Sequence, residues 1–103
     1  TQKRGNEKII CLLAEGDSMK PTIKSGSLLI INLEDIKEIQ NGKIYAIELP
    51  DEGVTIKKVY KHYNHLILFA DNREDPNYPK CIPLKQKHYP IRGKVIWALN
   101  KLS

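Results

Sequence analysis

The segment Gly16-Asp17-Ser18-Met19-Lys20-Pro21-Thr22 follows an apolar run, Lys8 to Ala14. A serine set between glycine and proline, just after a strand, sits on a sharp turn. Its hydroxyl is accessible there, and the backbone N–H groups beside it can point into one cavity. Access and amide donors for an oxyanion are what a serine nucleophile requires. Many Gly-Asp-Ser turns are only turns, so this segment alone assigns no reaction. A nucleophilic serine also needs a base. His62, His65 and His88 all lie in the polar, turn-rich second half of the chain. The alternative base is a lysine kept neutral by burial, because desolvation disfavours the ammonium. The run Val54-Thr55-Ile56-Lys57-Lys58-Val59 offers Lys57 inside an apolar β stretch. Alternation puts Thr55, Lys57 and Val59 on one face, with Val54, Ile56, Lys58 and Tyr60 on the other. Periodicity does not choose between Lys57 and Lys58, and either could be an exposed lysine on a wet face.

Other chemistries lack their residues. No glycine-rich phosphate loop and no paired cysteine–histidine set for zinc is present, so neither a metal nor a cofactor is expected. His62 and His65 are three apart, a spacing that in a strand-and-turn setting is not expected to put both imidazoles on one face. They read as a surface pair. Cys11 and Cys81 make no disulfide framework and read as small core hydrophobes in a reducing compartment.

The elements that must hold these residues read as mostly β. Candidate strands are Lys8 to Ala14, Ser27 to Asn32, Lys43 to Leu49, Val54 to Lys61, Leu66 to Ala70 and Ile91 to Leu99. Ser25-Gly26, Asn41-Gly42, Pro50 to Gly53 and Asn64 mark turns. Leu33 to Ile39 has room for a helical turn at most. Asp71 to Pro83, with three prolines, reads as a long loop. A compact all-β domain with barrel-like or coiled antiparallel sheets follows.

The chain has 103 residues, of which 41% are hydrophobic and 28% charged, which excludes intrinsic disorder and fits one domain. No apolar run approaches a membrane span, and no secretory signal is visible. Residues 1–51 carry 7 basic and 8 acidic side chains, whereas residues 52–103 carry 10 and 4, so the net +5 is concentrated in the second half. A basic half can meet nucleic acid or an acidic surface, or can be a solvated lysine-rich face.

Glu15-Gly16-Asp17-Ser18-Met19-Lys20-Pro21, with Thr22 to Ile30 after it, resembles the nucleophile region of the LexA-like serine–lysine peptidases. That family includes LexA, UmuD and phage CI-type repressors, with signal peptidase as a distant relative. Val54 to Val59 resembles its lysine strand. Asn72, Tyr78 and Pro79 resemble its later loop, and Gly93 to Trp97 its closing strand. The landmarks run in order over residues 8–99. The resemblance implies a LexA/signal-peptidase-like fold, with Ser18 as nucleophile and Lys57, the first of its basic pair, as general base. It implies an oxyanion donor in the Ser18 backbone N–H, and a cleft-shaping Met19 beside it.

Family repressors cut themselves at an Ala-Gly or Cys-Gly bond upstream of the nucleophile, and no such bond occurs here. The sequence starts at Thr1 and its one methionine is Met19. Residues 1–103 are therefore expected to be a single peptidase and dimerisation domain, the C-terminal part of a longer repressor. The partners the resemblance implies are a second copy, the chain's own upstream cleavage segment and the RecA filament. Operator DNA would be reached through an N-terminal domain outside this sequence. A cytoplasmic location is implied, with no membrane partner. The competing readings are an idle dimerisation module, a signal-peptidase-like processing enzyme, and a basic all-β nucleic-acid binder with few stacking platforms.

Overall fold

A computed structural model describes residues 8–16, 19, 22–50, 52–72, 75–85 and 88–100. Seven strands form one sheet: β1 (Ile9–Leu13), β2 (Leu28–Asn32), β3 (Lys43–Leu49), β4 (Gly53–His62), β5 (His65–Phe69), β6 (Lys80–Pro83) and β7 (Ile91–Leu99). Their order is β1-β2-β7-β3-β4-β5-β6, and every neighbouring pair is antiparallel. No helix occurs among the described residues, and residues 33–39 form bends only.

The expected strands are present, and one more appears. Lys80–Pro83 pairs with β5 at the sheet edge, where a loop was expected. An edge strand tolerates Pro83, because an edge need not donate every N–H.

Two small cores form on opposite faces of the sheet. Tyr45, Ile47, Leu49, Val59, Leu66, Leu68 and Ile91 make one. Met19, Ile23, Leu29, Ile31 and Ala46 make the other. β3 contributes to both, so its alternation yields burial on both faces. β7 carries an extra residue at Arg92 against β3 and another at Ile96 against β2, where the registers shift. Such bulges increase the local twist and coil the sheet. Gly93 lies between them, where the end of β2 packs closely alongside. A Cβ there would stand 2.5 Å from Ile31 Cγ2 and 3.2 Å from the Asn32 carbonyl oxygen.

The Asn41-Gly42 turn behaves as its sequence indicates. Gly42 adopts φ 86°, and its N–H donates to the Val59 carbonyl at 2.9 Å. At the other end of β4, Tyr63-Asn64 closes a two-residue hairpin, and His62 and His65 stand directly opposite one another. This corrects the expectation for that pair: a two-residue turn makes positions i and i+3 cross-strand partners, which share a face. Cys11 and Cys81 are both exposed, again contrary to expectation. Cys11 sits on the edge strand β1, whose five residues are all exposed.

Candidate functional site

Lys57 is on β4, directly opposite Tyr45 of β3. It is 2% exposed, and Thr55 and Val59 flank it on the same face. The structure thus puts Lys57 rather than Lys58 inside. Lys58 points to the other face and pairs with Asp71 at 3.1 Å, with a third of its side chain exposed.

The Lys57 amine is held by named acceptors. Nζ donates to Thr55 Oγ1 at 2.7 Å and to the Ile56 carbonyl oxygen at 3.2 Å. The Tyr78 ring lies beside it, 4.8 Å from Nζ to the centroid. Burial pushes the amine below the ordinary lysine range, while Glu52 and Asp75 oppose that displacement and Lys80 adds to it. A lysine in this setting gives up its proton more readily than one in water, which is the property a general base needs.

Ser18 lies outside the described residues, as do Asp17, Lys20 and Pro21. The flanks of their segment are described. The Ala14 N–H donates to the Ser27 carbonyl at 2.8 Å, and the Ile23 N–H to the Met19 carbonyl at 2.7 Å. Met19 is 4% exposed and packs with Ile23 and Leu29, with Ile56 partly buried against them. Gly16, Met19, Thr55 and Ile56 all line one cavity of about 230 Å³. Met19 therefore fills core and walls a cleft at once. The segment's flanks and the residues preceding Lys57 meet at that cleft. A wider basin of about 710 Å³ lies elsewhere, along Lys58, Tyr60 and Phe69 on the outer face of β4 and β5.

Sequence reasoning missed three residues around Lys57. Thr55 was placed on the right face but given no role. Tyr78 was named only as a family landmark, and Glu52 was counted only as part of a turn. The signal for Thr55 was available, since i and i+2 share a face of a strand. Among the described residues, no three His, Cys, Asp or Glu side chains converge as a metal site would require. No helix among them is long and apolar enough to cross a membrane.

The family model for peptidase S24-like proteins matches residues 1–96. An uncharacterised HTH-type transcriptional regulator of Haemophilus influenzae is 36% identical over 66 residues, 64% of this chain and 26% of the relative. The LexA repressor of Pectobacterium carotovorum subsp. carotovorum strain PC1 is 31% identical over 90 residues, 86% of this chain and 42% of the relative. The LexA repressor of Pectobacterium atrosepticum matches to the same extent. The chain thus spans between 26% and 42% of the length of these relatives.

Proposed function

Because this chain belongs to the peptidase S24-like family, we propose that it is the self-cleaving serine–lysine peptidase and dimerisation domain of a bacterial or phage transcriptional repressor. The observation that carries the reading is the buried Lys57, oriented by Thr55 and the Ile56 carbonyl, two residues that also line a cleft with Gly16 and Met19.

In this reaction Ser18 Oγ passes its proton to neutral Lys57 Nζ and attacks the scissile carbonyl carbon. The C–N bond then breaks, and the leaving amine takes the proton from the Lys57 ammonium. Water hydrolyses the resulting ester, with Lys57 again as base, and regenerates Ser18. Thr55 Oγ1 and the Ile56 carbonyl oxygen accept from Lys57 Nζ and help fix where the amine sits. Backbone N–H groups at Ser18 and a neighbouring residue would hold the oxyanion. The substrate is the chain's own upstream segment, so proximity replaces bimolecular binding. The domain acts in the cytoplasm, and a RecA filament stimulates the cut. Operator DNA is bound by a helix-turn-helix domain elsewhere in the full protein.

An exposed apolar face supports the dimerisation part. Register aligns Leu13, Leu28 and Leu99 across β1, β2 and β7, and likewise Cys11, Ile30 and Trp97. Leu13, Trp97 and Leu99 are 67%, 63% and 53% exposed. A contiguous apolar face of this kind marks a partner surface.

The test is incubation of the full-length protein from neutral to alkaline pH, with products weighed by mass spectrometry beside Ser18→Ala and Lys57→Ala. A single cut that rises with pH and disappears in both variants is expected. Cleavage persisting in Ser18→Ala would overturn the peptidase assignment. Absence of any cut, with the RecA filament present, would leave a dimerisation module.

A further inference from the structure

Tyr78 stands against two lysine side chains. Lys57 Nζ is 4.8 Å from its ring centroid and Lys80 Nζ 4.9 Å, both within cation–π range. The Tyr78 hydroxyl donates to Glu52 Oε1 at 3.3 Å, while Glu52 Oε2 is paired with Lys80 Nζ. Three parts of the chain close this clamp: the turn before β4, the loop after β5 and the first residue of β6. Bulk packing does not require the two ions, since the side chains of Lys80 and Glu52 remain 34% and 36% exposed.

Among the described residues, Glu52, Asp75 and Lys80 are charged groups that act on Lys57, and Thr55 and Tyr78 are polar neighbours. Glu52 and Asp75 favour the ammonium, and Lys80 disfavours it. The hydrogen bond from Lys80 also holds the Glu52 carboxyl below its usual range. Lys80 thus acts on Lys57 twice, by direct repulsion and by offsetting Glu52.

We propose that Glu52, Tyr78 and Lys80 are positioning residues for Lys57: the clamp holds the ring against the amine, and Lys80 offsets the Glu52 charge that faces it. This rests on Lys57 being the general base. The clamp is a property of the folded domain itself, present before any substrate segment enters the cleft.

The test compares self-cleavage against pH in the full-length protein. Glu52→Gln removes an anion that favours the ammonium. Its profile is expected to move to lower pH, with the neutral rate up several-fold. Lys80→Gln uncovers that anion and removes the repulsion. Its profile is expected to move to higher pH, with the neutral rate down several-fold and recovered in alkali. Glu52→Gln with Lys80→Gln should return close to wild type, because the two perturbations cancel. Structural loosening alone would lower both single variants at every pH. Shifts in the same direction, or none, would overturn the clamp while leaving Lys57 as base. Should Lys57→Ala still cut, the base assignment falls. The clamp is then read by NMR titration of the Lys57 side chain in Ser18→Ala protein. Opposite displacements by Glu52→Gln and Lys80→Gln sustain it, and coincident titrations overturn it.

Discussion

Thr55 Oγ1 accepts a hydrogen bond from Lys57 Nζ at 2.7 Å, two residues along the same strand face. The pairing orients an amine that has little water around it. Thr55→Val keeps the shape and removes the acceptor, leaving a buried donor poorly satisfied, at a cost of about 1–3 kcal/mol. If that orientation is required in the transition state, self-cleavage falls roughly ten- to hundredfold. Thr55→Ser retains most of the rate. Single-turnover cleavage rates with a circular-dichroism check on folding decide it, and unchanged cleavage in the valine variant would remove Thr55 from the machinery.

Lys57 and Lys58 differ in consequence as they differ in burial. Lys58 pairs with Asp71 on the opposite face of β4. Lys58→Gln is expected to leave cleavage within about twofold and stability within about 1 kcal/mol, as for other partly exposed pairs. A loss comparable to that of Lys57→Ala would reverse the assignment of the base.

The depressed lysine has a stability signature. Unfolded, Lys57 titrates near 10.5, whereas in the fold burial lowers it. As pH falls from above 10.5 toward the folded value, the unfolded chain takes up the proton first, and stability from this group is lost. Below the folded value the loss is complete and constant. Lys57→Met removes the penalty, so it is expected to be more stable than wild type at neutral pH, by about 1 kcal/mol or more. The gap should narrow as pH rises through the alkaline range. The Tyr78 hydroxyl, pushed above the usual tyrosine range by partial burial and by Glu52, destabilises both proteins in alkali, and the difference curve cancels it. Urea unfolding at several pH values gives the comparison, and a gap that widens with pH would contradict burial as the cause.

Gly93 tests the close packing of β2 alongside β7. A Cβ at that position would meet Ile31 Cγ2 at 2.5 Å, so Gly93→Ala is expected to destabilise by about 1–3 kcal/mol. Gly16 has nothing within 4 Å of its Cβ position, so a change there is strained only by its φ of 85°. Urea midpoints separate the two cases. A neutral Gly93→Ala would mean that β2 yields easily.

The apolar outer face predicts an oligomeric state. Trp97→Asp should shift a dimer to monomer in analytical ultracentrifugation, whereas Tyr63→Asp at the β4–β5 hairpin tip, 82% exposed, should not. Equal behaviour of the two variants would place the interface elsewhere.

Much of this fold was legible because alternation and turn chemistry agree. Lys43 to Leu49 alternates, and Asn41-Gly42 supplies the positive φ that begins it. β6 was not legible, since four residues ending in proline carry no periodic signal and are strand only by pairing with β5. The cysteines misled because a small apolar residue reads as core, whereas β1 lies at the edge with its outer face uncovered. The candidate site divides in the same way. Thr55 and Lys57 share a face by local geometry. Glu52 and Lys80 are 28 residues apart and meet only because the β4–β5–β6 meander folds back. Local spacing has no access to such a contact.

The strand order has a consequence for the timing of assembly. β3 to β6 form a continuous meander that includes Lys57, and β1 and β2 pair on either side of the sequence that carries Ser18. Among the described strands, only β7 hydrogen-bonds to both, and it follows the other six in chain order. During synthesis the two groups of strands therefore have no shared ladder until residues 91–99 emerge. If Ser18 and Lys57 act together as proposed, a nascent chain holds both residues before the strand that joins their two groups of strands is in place.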